Sequence, residues 1–107
     1  LGQTYPQVEV IVVDDGSTDD TPRVGEELMA ASAGRVVFLR KPNSGPGPTR
    51  EMGRRAARGE FLQYLDSDDL LRPRKFELQV AALRRQPECG AAYGWICVHP
   101  VDRAPLE

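Results

Sequence analysis

Asp66, Asp68 and Asp69 fall within one four-residue stretch, directly after the apolar run Phe61-Leu62-Gln63-Tyr64-Leu65. In an extended segment, residues two apart leave the backbone on the same face, so Asp66 and Asp68 stand side by side and repel. A hard divalent cation between them removes the repulsion. Mg²⁺ in particular is held by one or two carboxylates while substrate phosphates complete its shell. The bland alternative is an acidic turn that caps the helix after it. A second acidic pair, Asp14-Asp15, follows Val8-Glu9-Val10-Ile11-Val12-Val13.

The elements around these clusters decide between the two readings. Val8 to Val13 is almost continuously apolar and β-branched, the pattern of a strand covered on both faces in a parallel sheet. Thr21-Pro22 opens a helix with Thr21 as the expected N-cap, Val24, Leu28 and Ala31 as its apolar stripe and Gly34 as its stop. Val36 to Leu39 predicts a second strand, and a short basic helix is expected from about Thr49 with Met52 and Ala56 turned inward. Phe61 to Leu65 predicts a third strand. After Pro73, Phe76, Val80 and Leu83 recur at helical spacing, and Ala91 to Val98 is expected as a last strand. Strands alternating with helices predict an α/β fold: a Rossmann-like, mostly parallel sheet with flanking helices.

In such a sheet ligands gather outside the carboxyl ends of the strands. Both acidic clusters follow strand ends, so the fold would bring them to one rim. Several carboxylates on one edge are costly without a cation or hydrogen-bond donors, which favours a metal-assisted phosphate or nucleotide site over two unrelated caps. The loop Asn43-Ser44-Gly45-Pro46-Gly47-Pro48-Thr49-Arg50 is not a P-loop: it lacks the Gly-Lys-Ser/Thr ending, and its prolines offer no N–H. It is expected to form a lip, with Arg50 as the group that could touch a nucleotide, or else a surface partner for a nearby Asp.

Composition narrows the classes. With 107 residues, 40% hydrophobic and 28% charged, the chain is one globular domain or a piece of one. A net charge of -2 and a pI near 5.4 leave no electrostatic footprint for nucleic acid. Cys89 and Cys97 lack zinc-type spacing and are expected to be buried or idle thiols, and His99 a surface residue. No apolar run approaches a bilayer span and the start lacks a signal-peptide pattern, so the expected location is the cytoplasm, with membrane association left to a longer protein. Leu106-Glu107 is read as a cloning remnant.

Taken together, Gln3-Thr4-Tyr5-Pro6, Val8 to Val13, Asp14-Asp15-Gly16-Ser17-Thr18-Asp19, Asn43 with Gly45 and Arg50, Ala57-Arg58-Gly59-Glu60 and Leu65-Asp66-Ser67-Asp68-Asp69 resemble the nucleotide-binding half of a family 2 glycosyltransferase. The resemblance implies a glycosyltransferase A-type fold that binds a sugar nucleotide, a UDP-sugar first among them, with Mg²⁺ or Mn²⁺, and transfers the sugar with inversion. It also implies roles: Asp15 reads the base with Asp14 beside it, Arg50 contacts the nucleotide, Asp66 lies near the ribose and sugar, and Asp68, with Asp66, binds the metal.

Three departures qualify it. The family's opening strand would precede Leu1, Glu51 stands where the family has Asn, and Pro46 and Pro48 replace more permissive residues. The family's general base is expected beyond this chain, which alone would transfer sugar poorly or not at all. Two other readings stay open: a receiver-type domain holding Mg²⁺ for phosphorylation, and an interaction module. If the missing chain covers one face of the last strand, where Tyr93, Trp95 and Cys97 alternate, the excerpt would form a homodimer there.

Overall fold

The computed structural model describes residues 1–98. His99 and residues 106–107 lie outside them. Two strands, β1 (Val10–Asp14) and β2 (Val36–Arg40), pair in parallel, and three helices follow in order: α1 (Thr21–Ala31) between the strands, then α2 (Pro46–Ala56) and α3 (Lys75–Arg85). The α/β class with a parallel sheet and flanking helices is as the sequence predicts. β-branched residues fill β1 up to Asp14 and open β2 as Val36-Val37, since their branched side chains suit the pleated surface.

The register fixes which face each helix covers. Val12 lies opposite Phe38 and Val13 opposite Leu39, so these two pairs point to opposite sides of the sheet. Gly25 of α1 backs onto the Phe38 ring, where an added Cβ would sit 2.2 Å from Cε2. Gly53 of α2 faces Val13, where an added Cβ would meet Cγ2 at 3.4 Å. Hence α1 and α2 sandwich the sheet. Val36, which opens β2, is the buried large apolar residue among the described residues, and its burial contributes about 1.5 kcal/mol.

Four local expectations change. In α1 the contact residue is Gly25, while Val24 and Leu28 face solvent, because a helix that approaches an aromatic ring this closely needs a position without a side chain. Thr21 lies inside α1 and Asp20 is at the N-cap position. The Thr21 N–H instead donates to Asp19 Oδ1 at 3.0 Å. α2 starts at Pro46 and not near Thr49, since proline is pre-set for a first turn whose N–H groups have no intrahelical partner. Cys89 and Cys97 are free and exposed.

The largest difference concerns the sheet. Phe61 to Leu65 and Ala91 to Val98 form no ladder with β1 or β2, so the sheet has two strands among the described residues. Phe61, Leu62, Tyr64 and Leu65 are between 37% and 52% exposed. A strand apolar on both sides needs a layer over each face, and α3 packs on neither strand. It docks on the N-terminal segment: the Thr4 N–H donates to Pro73 O at 2.8 Å, and Gln3 Oε1 accepts the Phe76 N–H at 3.1 Å. Gln3 thus caps a helix 73 residues away. Phe76, Val80 and Leu83, the stripe expected of α3, face Tyr5, Val8 and Phe61 across an open cavity of about 630 Å³.

Candidate functional site

Asp14 ends β1 and is the one buried acid among the described residues. Its Oδ1 accepts the Ser17 N–H at 3.0 Å, closing the Asp14–Ser17 turn in which Gly16 adopts φ +83°. Arg40, its partner in the sheet register, brings Nε to 3.2 Å from Oδ2. That approach is off the direction a hydrogen bond needs, so Oδ2 has no hydrogen-bond partner among the described residues and is held by charge. Asp14 therefore supports the rim from below.

Asp15 faces the open side. Its Oδ1 accepts Lys41 Nζ at 2.6 Å and the Ser44 N–H at 2.9 Å, and its Oδ2 accepts the Gly45 N–H at 2.9 Å. The Lys41 ammonium above all, with the Ser44 and Gly45 amides and the nearby Thr49 hydroxyl, lowers the Asp15 carboxyl to a pKa of about 2 against partial desolvation. Each carboxylate oxygen offers two acceptor directions. Both directions on Oδ1 and one on Oδ2 are taken by these hydrogen bonds, and the Thr49 hydroxyl lies by the carboxylate as well.

Because Gly45 is the residue before α2, Asp15 also ties down that helix. Gly45 takes φ +88°, a left-handed conformation that suits glycine. One turn further along, Arg50 Nη2 pairs with Asp66 Oδ1 at 2.8 Å. A single helix thus holds the first acidic cluster at its N-terminal end and the second through Arg50. At ~1.5 Å rise per residue, these two attachments are roughly 8 Å apart along its axis.

The second cluster forms an exposed turn. The Asp69 N–H donates to Asp66 O at 3.1 Å, and the Asp66, Asp68 and Asp69 side chains all face solvent. Among the described residues no three Asp, Glu, His or Cys side chains converge as a metal site would require. The donor set does suit an ion that takes one or two carboxylates and completes its shell from substrate phosphates. Asp68 and then Asp66 would hold it.

Three residues were passed over in the sequence: Arg40 and Lys41, which oppose the two acids at the sheet rim, and Glu9. Glu9 Oε1 accepts the Arg58 N–H at 2.7 Å and the Gly59 N–H at 3.0 Å, fixing where the chain leaves α2 for the second cluster. The Arg58 amide above all lowers the Glu9 carboxyl below the usual range. A signal was present: Asp14-Asp15 and Arg40-Lys41 occupy equivalent places at the ends of two β-branched runs, and parallel pairing sets them opposite each other.

Residues 1–104 match the family described as Glycosyl transferase family 2. The chain belongs to this family. It is 42% identical over 71 residues to a putative glycosyltransferase, EpsH, of Bacillus subtilis (strain 168), covering 66% of this chain and 20% of that protein. The chondroitin synthase of Escherichia coli is 39% identical over 93 residues, 87% of this chain and 13% of the synthase. An uncharacterized glycosyltransferase of Haemophilus influenzae (strain ATCC 51907 / DSM 11121 / KW20 / Rd) is 34% identical over 80 residues, 75% of this chain and 32% of the relative. The chain thus spans a third or less of these relatives. Family membership removes the receiver-type alternative. No helix among the described residues is long and apolar enough to cross a membrane.

Proposed function

We propose that residues 1–107 form a single-domain piece of a metal-dependent, inverting glycosyltransferase, the part that binds the nucleotide-sugar donor. The observation that carries this is the bridging of both acidic clusters by α2, through Gly45 to Asp15 and through Arg50 to Asp66. Asp15, with Asp14 beside it, accepts from the base, Arg50 contacts the nucleotide, Asp66 lies near the ribose and sugar, and Asp68 with Asp66 would hold Mg²⁺ or Mn²⁺. The cation, when bound, offsets the charge that builds on the departing diphosphate. In the reaction the sugar C1–O bond to the diphosphate breaks and a bond from an acceptor oxygen to C1 forms on the opposite face. The acceptor proton passes to a general base outside this chain.

A UDP-sugar is the first candidate donor. Asp15 Oδ2, the oxygen with fewer hydrogen bonds, would accept the imide N–H that uracil and thymine share, and the titration separates the two. The test is a titration of UDP, GDP and dTDP, with and without Mn²⁺, followed by backbone amide shifts and repeated with Asp68→Ala. Metal-dependent shifts near Asp15, Arg50 and Asp66 that vanish in the variant are expected. Equal response to all three nucleotides would refute the base assignment, and no response would refute the donor site.

A second proposal concerns association. Tyr93, Trp95, Ile96 and Val98 are at least 89% exposed, more apolar surface than a short segment usually leaves in water. We infer that two copies pair through this segment. Sedimentation of the wild type against Trp95→Ser would show a dimer lost in the variant; a monomer at high concentration would refute pairing.

A further inference from the structure

We propose that Lys41 is a positioning residue for nucleotide recognition: it touches no part of the donor and holds Asp15 so that Oδ2 is the oxygen offered to the base. This rests on the donor-site proposal above and extends it to a residue outside every motif that carries the family likeness.

Asp14 and Arg40 are partners across the sheet, so Asp15 and Lys41 leave their strands together on the same rim. The Lys41 N–H donates to Asp14 O at 3.0 Å, which continues the ladder one step past β2 and anchors the lysine backbone. From there Nζ reaches Asp15 Oδ1 at 2.6 Å, Pro42 O at 2.8 Å and Ser44 Oγ. An ammonium has three N–H donors, and all three are used. The side chain is 15% exposed, so the charge is drawn into the rim and not extended towards a phosphate.

These ties act on recognition through two atoms. Lys41 and the Ser44 N–H fill both directions on Oδ1, which leaves Oδ2, with the Gly45 N–H on it, as the less occupied oxygen. Lys41 also closes the 41–44 turn on itself, which sets the Gly45 N–H against Oδ2 and with it the start of α2. Without the ammonium, Oδ1 regains a free acceptor direction and the carboxylate can rotate about its own bond. The base would then meet a less ordered acceptor, whatever the phosphates do.

The experiment measures uridine and UDP binding to the full natural protein, comparing wild type with Lys41→Gln, Ser44→Ala and Asp15→Asn, while ¹³C spectra follow the Asp15 carboxyl titration. Lys41→Gln is expected to weaken uridine and UDP by the same factor, about tenfold, and to raise the Asp15 pKa towards its ordinary value. Ser44→Ala, which keeps the charge and removes one tie, is expected to give a smaller loss, again equal for both ligands, and covers the case in which Lys41→Gln fails to fold. Loss confined to UDP would overturn the proposal, since it marks a direct phosphate contact. Unchanged binding in both variants would overturn it too. If wild type binds neither ligand, or Asp15→Asn binds both as well as wild type, the donor-site reading itself fails, and the Lys41 proposal with it.

Discussion

The two acidic clusters sit in contrasting surroundings. Asp14 and Asp15 lie where β1, β2, α1 and α2 pack together, and nearly every oxygen is matched by a cation or an amide. Asp66, Asp68 and Asp69 lie on an exposed turn with one ion pair, in a half that has a helix but no strand among the described residues. The difference separates two jobs for the same residue type. Asp14, matched from within, shapes a wall, Asp15 is held in one orientation by its partners, and the acids of the exposed turn are left to solvent. The helix between them, α2, lets the ordered half set the position of the open one.

The sharpest way to break this contrast is to damage the packed half. Gly25→Val puts a branched side chain into space held by the Phe38 ring, 2.2 Å from the position of the first added carbon. It should cost about 3 kcal/mol in urea unfolding. Leu70→Ser, at a residue 88% exposed, should change stability by less than ~0.5 kcal/mol. Equal costs would mean that the two halves are equally ordered.

A second comparison sets acid against acid. Asp14→Ala leaves the part-buried Ser17 N–H without its acceptor and removes the ion pair with Arg40, and should cost about 2 kcal/mol by the same measurement. Asp68→Ala should leave the unfolding midpoint where it is while abolishing metal-dependent nucleotide shifts. A stability loss in Asp68→Ala would place that residue among the supports.

Acid titration gives a smaller effect with a definite sign. The folded Asp15 pKa of about 2 lies below its ordinary 3.8, so its contribution is complete above about pH 4 and disappears as the pH falls through about 2. Glu51, held near 2 by Arg54 first and Arg55 second, titrates in the same window. Asp15→Asn should therefore flatten part of the stability loss between pH 4 and pH 2 and leave the remainder. The least effect is expected for Glu51→Gln on the exposed face of α2: a slight destabilisation at low salt that 1 M NaCl removes.

What could be read in advance followed physical rules of short range. The β-branched runs gave both paired strands, and the turn residues after them gave the acid positions. The prolines of the 43–50 loop misled, because proline marks loops and first helical turns alike, and only the packing of α2 on β1 separates the two. Gly25 was invisible as a contact because a pattern of apolar side chains cannot register a residue that acts by lacking one. Phe61 to Leu65 has strand composition, yet strand formation depends on covering layers contributed by other parts of a chain. Gln3 on α3, Glu9 on Arg58 and Gly59, and Lys41 on Asp15 are pairings between distant positions, which become visible only once register and topology are known.

The first turn of α2 carries a consequence for kinetics. Pro46 and Pro48 have little backbone freedom to lose, and Gly45 is already fixed by Asp15. The rim is therefore shaped before any ligand arrives, and little ordering entropy is spent when one does. On the donor-site reading, nucleotide should associate in a single phase whose rate rises linearly with concentration, with no plateau from a slow closing step. Affinity differences between nucleotides would then appear in how long each stays.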